Sequence, residues 1–195
     1  MANETKTKPR AKKADNVDET PVLKEEHTEK VSDVTEAKNT VKKAIPKDID
    51  LNQLVVVRNG YQGKLVYKSP RTHEKFVWPE FGAEQMIELL ELRNAKNTWK
   101  KYFINNWFMF DEEYAWVIDY LGMTQYYKHA LTIDKFDDLF EKSPDDIERC
   151  VAMLSDGQKS SVRYRARQLI ADGEIDSNKA IAALERSLGV DLVER

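Results

Sequence analysis

The chain has a single cysteine, Cys150, among 195 residues. That excludes a disulfide framework and a zinc site built on thiolates, and it suits a reducing compartment. No apolar run approaches the ~20 residues needed to span a bilayer. The N-terminus is polar throughout and lacks the apolar core of a secretory signal, so the reading is a soluble protein with no membrane partner. The seven glycines form no phosphate-cradling loop, since Gly60-Tyr61-Gln62-Gly63 has the spacing of a hairpin. The net charge of −3 is near balance, so no global basic field draws the protein to nucleic acid, although a local patch stays open. Residues 1 to 45 contain no aromatic side chain, and basic and acidic residues alternate along them. Such a segment buries too little apolar surface to offset its chain entropy and is expected to be a disordered charged arm. Its first residues are basic (Lys6, Lys8, Arg10, Lys12, Lys13), which offers a tether to nucleic acid.

What the chain has in excess is aromatics, gathered in one place. Trp99 to Tyr127 holds more than half of them, and each large ring can bury roughly 150–250 Å². Trp107, Phe108 and Phe110 follow one another too closely for a one-sided helix, so this stretch is expected to be covered on several sides, by the chain or by a partner.

Order is expected from Ile45-Pro46. Three β-type runs, Leu54–Arg58, Lys64–Lys68 and Glu74–Trp78, are separated by Asn59-Gly60 and by Ser69-Pro70-Arg71-Thr72. This pattern predicts a small antiparallel meander over residues 46–80, with edges open to strand addition. The remainder, 81–195, reads as a helical body. Ala83–Arg93 carries Met86, Ile87, Leu89 and Leu90, and Asp111 is placed to cap a helix with Tyr114, Val117, Ile118 and Leu121 inward. A short element carries Tyr126 and Tyr127, and Thr132–Lys142 groups Phe136, Leu139 and Phe140. Ser143-Pro144-Asp145-Asp146 is a helix start; that helix is expected to end at Asp156-Gly157, before Lys159–Ala171 and Asn178–Leu188. The fold class is α+β: a disordered arm, a small antiparallel meander and a multi-helix body, with 46–195 as one domain.

The run VRNGYQGKLVYKSPRTHEKFVWPEFG, followed by IELLELRNAK and NNWFMF, resembles uncharacterised small proteins of tailed bacteriophages of Gram-positive hosts. The elements that carry the likeness are Gly63–Ser69, Arg71-Thr72, Trp78–Gly82 and Glu91-Leu92-Arg93-Asn94, within Val55–Arg195. These are packing and turn residues. The resemblance implies a virion or assembly component, located in the virion or the host cytoplasm, and it carries over no catalytic residue.

Candidate sites are few. On the helix 159–171, Lys159, Ser160, Arg163, Tyr164 and Arg167 share a face if Val162, Ala166, Leu169 and Ile170 point inward. That face suits phosphates or an acidic partner, and the preceding turn has helix-turn-helix length. The opposing reading is a solvated helix face neutralised by Asp145, Asp146 and Glu148. Asp111, Glu112, Glu113 and Asp119, and likewise Asp134, Asp137 and Asp138, diverge at about 100° per helical residue and do not chelate as they stand. His27, His73 and His129 have no ligand or triad spacing, and Cys150 reads as a buried thiol. No catalytic, cofactor-binding or metal-ligating set is expected. Trp107, Phe108, Phe110, Tyr126 and Tyr127 are the candidate protein interface. The leading expectation is a non-enzymatic phage protein contacting other virion proteins or itself. The alternative is a DNA-binding regulator using the basic helix.

Overall fold

The structure is a computed structural model that describes residues 45–46 and 48–193. The charged arm read over 1–45 lies, apart from Ile45, outside the described residues. The α+β class holds: small antiparallel sheets come first and several helices follow.

Strand β1 (Leu54–Asn59) alternates strictly, with Val55, Val57 and Asn59 buried and Leu54, Val56 and Arg58 turned outward. That period of two makes it the centre of a three-stranded sheet. On one side it pairs antiparallel with β4 (Glu84–Glu88), and on the other with the two-residue β5 (Phe108–Met109). Strands β2 (Leu65–Lys68) and β3 (Lys75–Trp78) form a separate hairpin. The Trp78 indole joins the two sheets by donating to the Val57 carbonyl at 2.9 Å.

This pairing corrects the expected meander, because β1 does not pair with β2. A two-residue hairpin at Asn59-Gly60 needs positive φ at both positions, and neither residue has it. Asn59 is used as a buried clamp instead. Its Nδ2 donates to the carbonyls of Gly63 (2.7 Å) and Glu80 (2.8 Å), and its Oδ1 accepts from the Tyr61 amide. Gly60 marks a close backbone crossing, where a Cβ would stand 2.1 Å from the Asn106 carbonyl oxygen. A second correction concerns Ala83–Arg93, expected to be helical throughout. Residues 84–88 form a strand, with Ile87 opposite Val55 and Met86 opposite Val56. The spacing of Met86, Ile87, Leu89 and Leu90 suits either structure, and pairing to β1 decides it.

The helices are α1 (Leu89–Thr98), α2 (Lys101–Ile104), α3 (Ala115–Tyr120), α4 (Thr124–Tyr127), α5 (Pro144–Ala152), α6 (Asp156–Ala171) and α7 (Asn178–Leu188). A single 3-10 turn at Glu112–Tyr114 stands at the start of the helix expected after Asp111, and two more, at Ile133–Lys135 and Asp137–Leu139, replace the helical stretch expected over Thr132–Lys142. Asp111 precedes the first of them without a capping bond. Ser143, Ser155 and Ser177 cap α5, α6 and α7 through their side chains, as serine at this position should. Asp156-Gly157 therefore opens α6 and does not end α5. Glycine is required there by packing: a Cβ would lie 2.2 Å from the Asn105 carbonyl oxygen.

Two apolar cores result. The first gathers Val55, Val57, Tyr67, Trp78, Leu92 and Phe108 with their neighbours. The second gathers Phe136, Leu139, Ile147, Val151, Val162 and Leu184. A buried polar seam ties them. The Gln158 side chain accepts from the Leu131 amide (3.0 Å) and donates to its carbonyl (2.8 Å). The Ser161 hydroxyl donates to the Gly60 carbonyl (3.0 Å).

Candidate protein-binding groove

The aromatic stretch turns its rings in three directions. Phe103, Phe108 and Trp116 enter the first core. Phe110 and Tyr127, with centroids 6.2 Å apart, turn toward a surface groove. Trp107 and Tyr126 stay half-buried beside Lys101 and Lys100. Of the five candidate interface residues, Phe108 must therefore be withdrawn, since it is wholly enclosed and accepts the Tyr127 phenol on its carbonyl at 2.6 Å. Burial pushes that phenol well above the usual tyrosine range.

The groove consists of two adjoining depressions of about 440 and 410 Å³ that share Ala115, Ile118 and Tyr127. One runs between α3 and α4. The other continues past Phe110 and Met109 to Ala130 and Ile133. The sequence placed Ile118 in an inward stripe; it is half-buried, packing against the first core on one side and lining the groove on the other. Ala130 and Ile133 belong to irregular backbone and carried no periodic signal. Polar groups sit along the sides: Asp119 accepts from the Thr124 hydroxyl, and Asp111 and Asp134 both accept from Arg58, at 3.0 and 2.9 Å. Burial pulls the Arg58 guanidinium down, but the bonds to Asp134 and Asp111 outweigh it and leave the group raised. These two acids thus converge from distant segments upon a cation of the chain itself. Among the described residues no three His, Cys, Asp or Glu side chains are grouped to hold a metal ion.

On α6, Ser160, Arg163, Tyr164 and Arg167 are exposed on the side away from Val162, Ala166 and Leu169, whereas Lys159 is half-buried at the margin of that stripe. Arg167 donates to the Asp191 carbonyl at 3.0 Å. Arg165 binds Asp137 through two nitrogens, which raises its pKa. A reading helix presents its first residues to base edges. Here Gly157, Gln158 and Ser161 in those first turns are buried against Asn105, Leu131 and Gly60. That burial works against a helix-turn-helix use of α6. Cys150 is half-buried, not buried as expected, and His73 and His129 are exposed and far apart in the chain. His27 lies outside the described residues.

Comparison of the chain with protein-family models, with curated proteins and with solved structures returns no match. No helix among the described residues is long and apolar enough to cross a membrane.

Proposed function

We propose that this chain is a non-enzymatic bacteriophage virion or assembly protein that acts through protein–protein contacts. The observation that carries the proposal is the groove: an open, mostly apolar trough lined by Phe110, Ile118, Ile133 and Tyr127. Its polar groups lie along the sides, and the two acids that converge there, Asp111 and Asp134, are both bound to Arg58 of the chain itself. A trough of this kind fits the apolar side chains of a segment from another virion protein, and half-buried aromatics are the residues that anchor such contacts. The phage assignment is supported by the motifs in Gly63–Ser69 and Trp78–Gly82 noted above.

Two measurements test the proposal. Mass spectrometry of purified particles should find the protein at stoichiometric abundance, and its absence from particles and from assembly intermediates would sink the proposal. Ile118→Glu places a charge in the trough and should abolish incorporation while circular dichroism stays unchanged. Should Arg163→Glu with Arg167→Glu abolish function while Ile118→Glu does not, the DNA-binding regulator becomes the better reading.

A further inference from the structure

A second surface shares no residue with the groove or with the exposed face of α6. Two stretches of the chain, 59–73 and 92–110, contain no acidic residue at all, in a protein whose net charge is −3. The fold brings them together. The Tyr102 phenol donates to the Val66 carbonyl at 2.7 Å, the Gly60 amide donates to the Trp107 carbonyl, and the Tyr61 and Trp107 rings meet edge to face at 6.1 Å. Along β2, Leu65 and Tyr67 are buried, so Val66 and Lys68 face outward, with Lys64 exposed beside them. In the hairpin register Lys68 stands directly opposite Lys75, also exposed. Like charges opposed across two strands are destabilising. Among the described residues neither lysine has a carboxylate within ion-pair distance. At the adjoining α1–α2 corner, Trp99 is 45% exposed. The Lys101 ammonium lies 5.6, 5.8 and 5.9 Å from the Trp99, Tyr102 and Trp107 ring centroids.

We propose that this face, formed by the outer side of the β2–β3 hairpin and the α1–α2 corner, binds single-stranded nucleic acid. Open aromatic rings offer stacking platforms to unpaired bases, and uncompensated lysines neutralise the phosphates between them. An anion bridging Lys68 and Lys75 relieves the repulsion that the hairpin otherwise retains. An acidic peptide would satisfy the lysines but not the exposed indole, which is why unpaired bases are the better occupant. Duplex DNA keeps its bases stacked on one another and leaves Trp99 without a partner.

The test is a fluorescence titration of the full chain with an oligothymidylate of about 20 nucleotides, which forms no duplex. Binding should quench tryptophan emission and weaken with salt, by roughly twentyfold between about 50 and 200 mM if about three phosphates are neutralised. Trp99→Ala should weaken it about tenfold. Lys68→Glu with Lys101→Glu should weaken it further and reduce the salt slope by about 1.4. Lys68→Gln with Lys101→Gln should give an intermediate loss with an unchanged melting curve, which separates lost binding from lost folding. Arg163→Glu with Arg167→Glu should leave the affinity unchanged. The proposal is overturned by any of three results: no quenching at low salt, duplex bound as tightly as the single strand, or affinity retained in the Lys68 and Lys101 variants.

Discussion

Replacing Tyr67 by phenylalanine removes one oxygen from the interior and nothing else. The ring is fully buried against Phe76, Tyr102 and Phe108, and phenylalanine keeps those contacts. The lost hydroxyl donates to Glu91 at 2.6 Å, and the Glu91 side chain is only 4% exposed. Its remaining charged partner in the structure is Arg71, whose Nε lies 3.3 Å away on a side chain that is largely solvated. A hydrogen bond to a buried charge contributes about 1.5–3 kcal/mol, so Tyr67→Phe should cost about 2 kcal/mol, or about 4–8 °C in Tm. Arg71→Ala removes a partner that is 44% exposed from a buried Glu91 that keeps its bond from Tyr67, and should cost about 1 kcal/mol, less than Tyr67→Phe. Urea unfolding at neutral pH, followed by tryptophan fluorescence, measures both. Alkali supplies an independent check. Burial first, and then the bond to Glu91, raise the Tyr67 phenol far above its ordinary 10.0. It stays protonated in the folded chain while the unfolded chain ionises, so its stabilisation is complete below pH 10.0 and is lost as the pH climbs beyond. The gap between wild type and Tyr67→Phe should therefore narrow above about pH 10. A Tyr67→Phe variant as stable as wild type at neutral pH, or a gap that widens in alkali, refutes the reasoning.

Gly157→Ala offers a contest between two effects of known size. Alanine is better than glycine in a helix by about 1 kcal/mol, but its Cβ would stand 2.2 Å from the Asn105 carbonyl oxygen. Overpacking against rigid backbone should win and lower stability by about 2–3 kcal/mol in a denaturant titration. Ser161→Ala leaves the buried Gly60 carbonyl without its partner and should cost about 1–2 kcal/mol by the same assay. The Ser143 hydroxyl, followed by Arg149, holds the Asp146 carboxyl below its ordinary 3.8. Its contribution is therefore complete above pH 3.8 and disappears as the pH falls below it, and Ser143→Ala should move the carboxyl's NMR titration midpoint upward.

Much of this architecture was written in local signals, and the misses have a common origin. The serine cap and the proline opening α5 are decided within a few residues, and so is the end of α7 at Gly189, which takes a left-handed conformation; these the sequence located, whereas the Ser177 cap of α7 it did not single out. Pairing of β1 with β4 and β5 is decided by partners about 25 to 50 positions away, on the order of a long loop closure that no local pattern encodes. Asn59-Gly60 shows the difference: its composition announces a turn, yet its atoms are committed to Gly63, Glu80 and Trp107. Gly157 misled in the same way. A glycine after an apolar stripe reads as a stop unless the neighbour that excludes its Cβ is known, and that neighbour, Asn105, is some fifty residues away. The outer face of α6 was legible because a sixteen-residue helix repeats its period often enough to sort its sides. The groove was legible only in part. Phe110 and Tyr127 stood out as surplus rings, whereas Ala130 and Ile133 lie on irregular backbone.

The distribution of rings explains why the surplus exists at all. A core needs its aromatics enclosed, and Phe103, Phe108 and Trp78 satisfy that requirement for the first core. Were the remaining rings only packing, the chain would be expected to cover them with its own apolar side chains. Instead Phe110 and Tyr127 face an open trough, and Trp99 stands exposed with lysine as its charged neighbour. The two surroundings differ in kind: apolar and mixed in charge around the trough, and around Trp99 a lysine over the ring within a stretch, 92–110, that contains no acidic residue. One continuous aromatic segment therefore supplies an interior and two dissimilar surfaces. A change within it should disturb protein contacts or the lysine-rich face separately, provided that Phe103 and Phe108 are left in place.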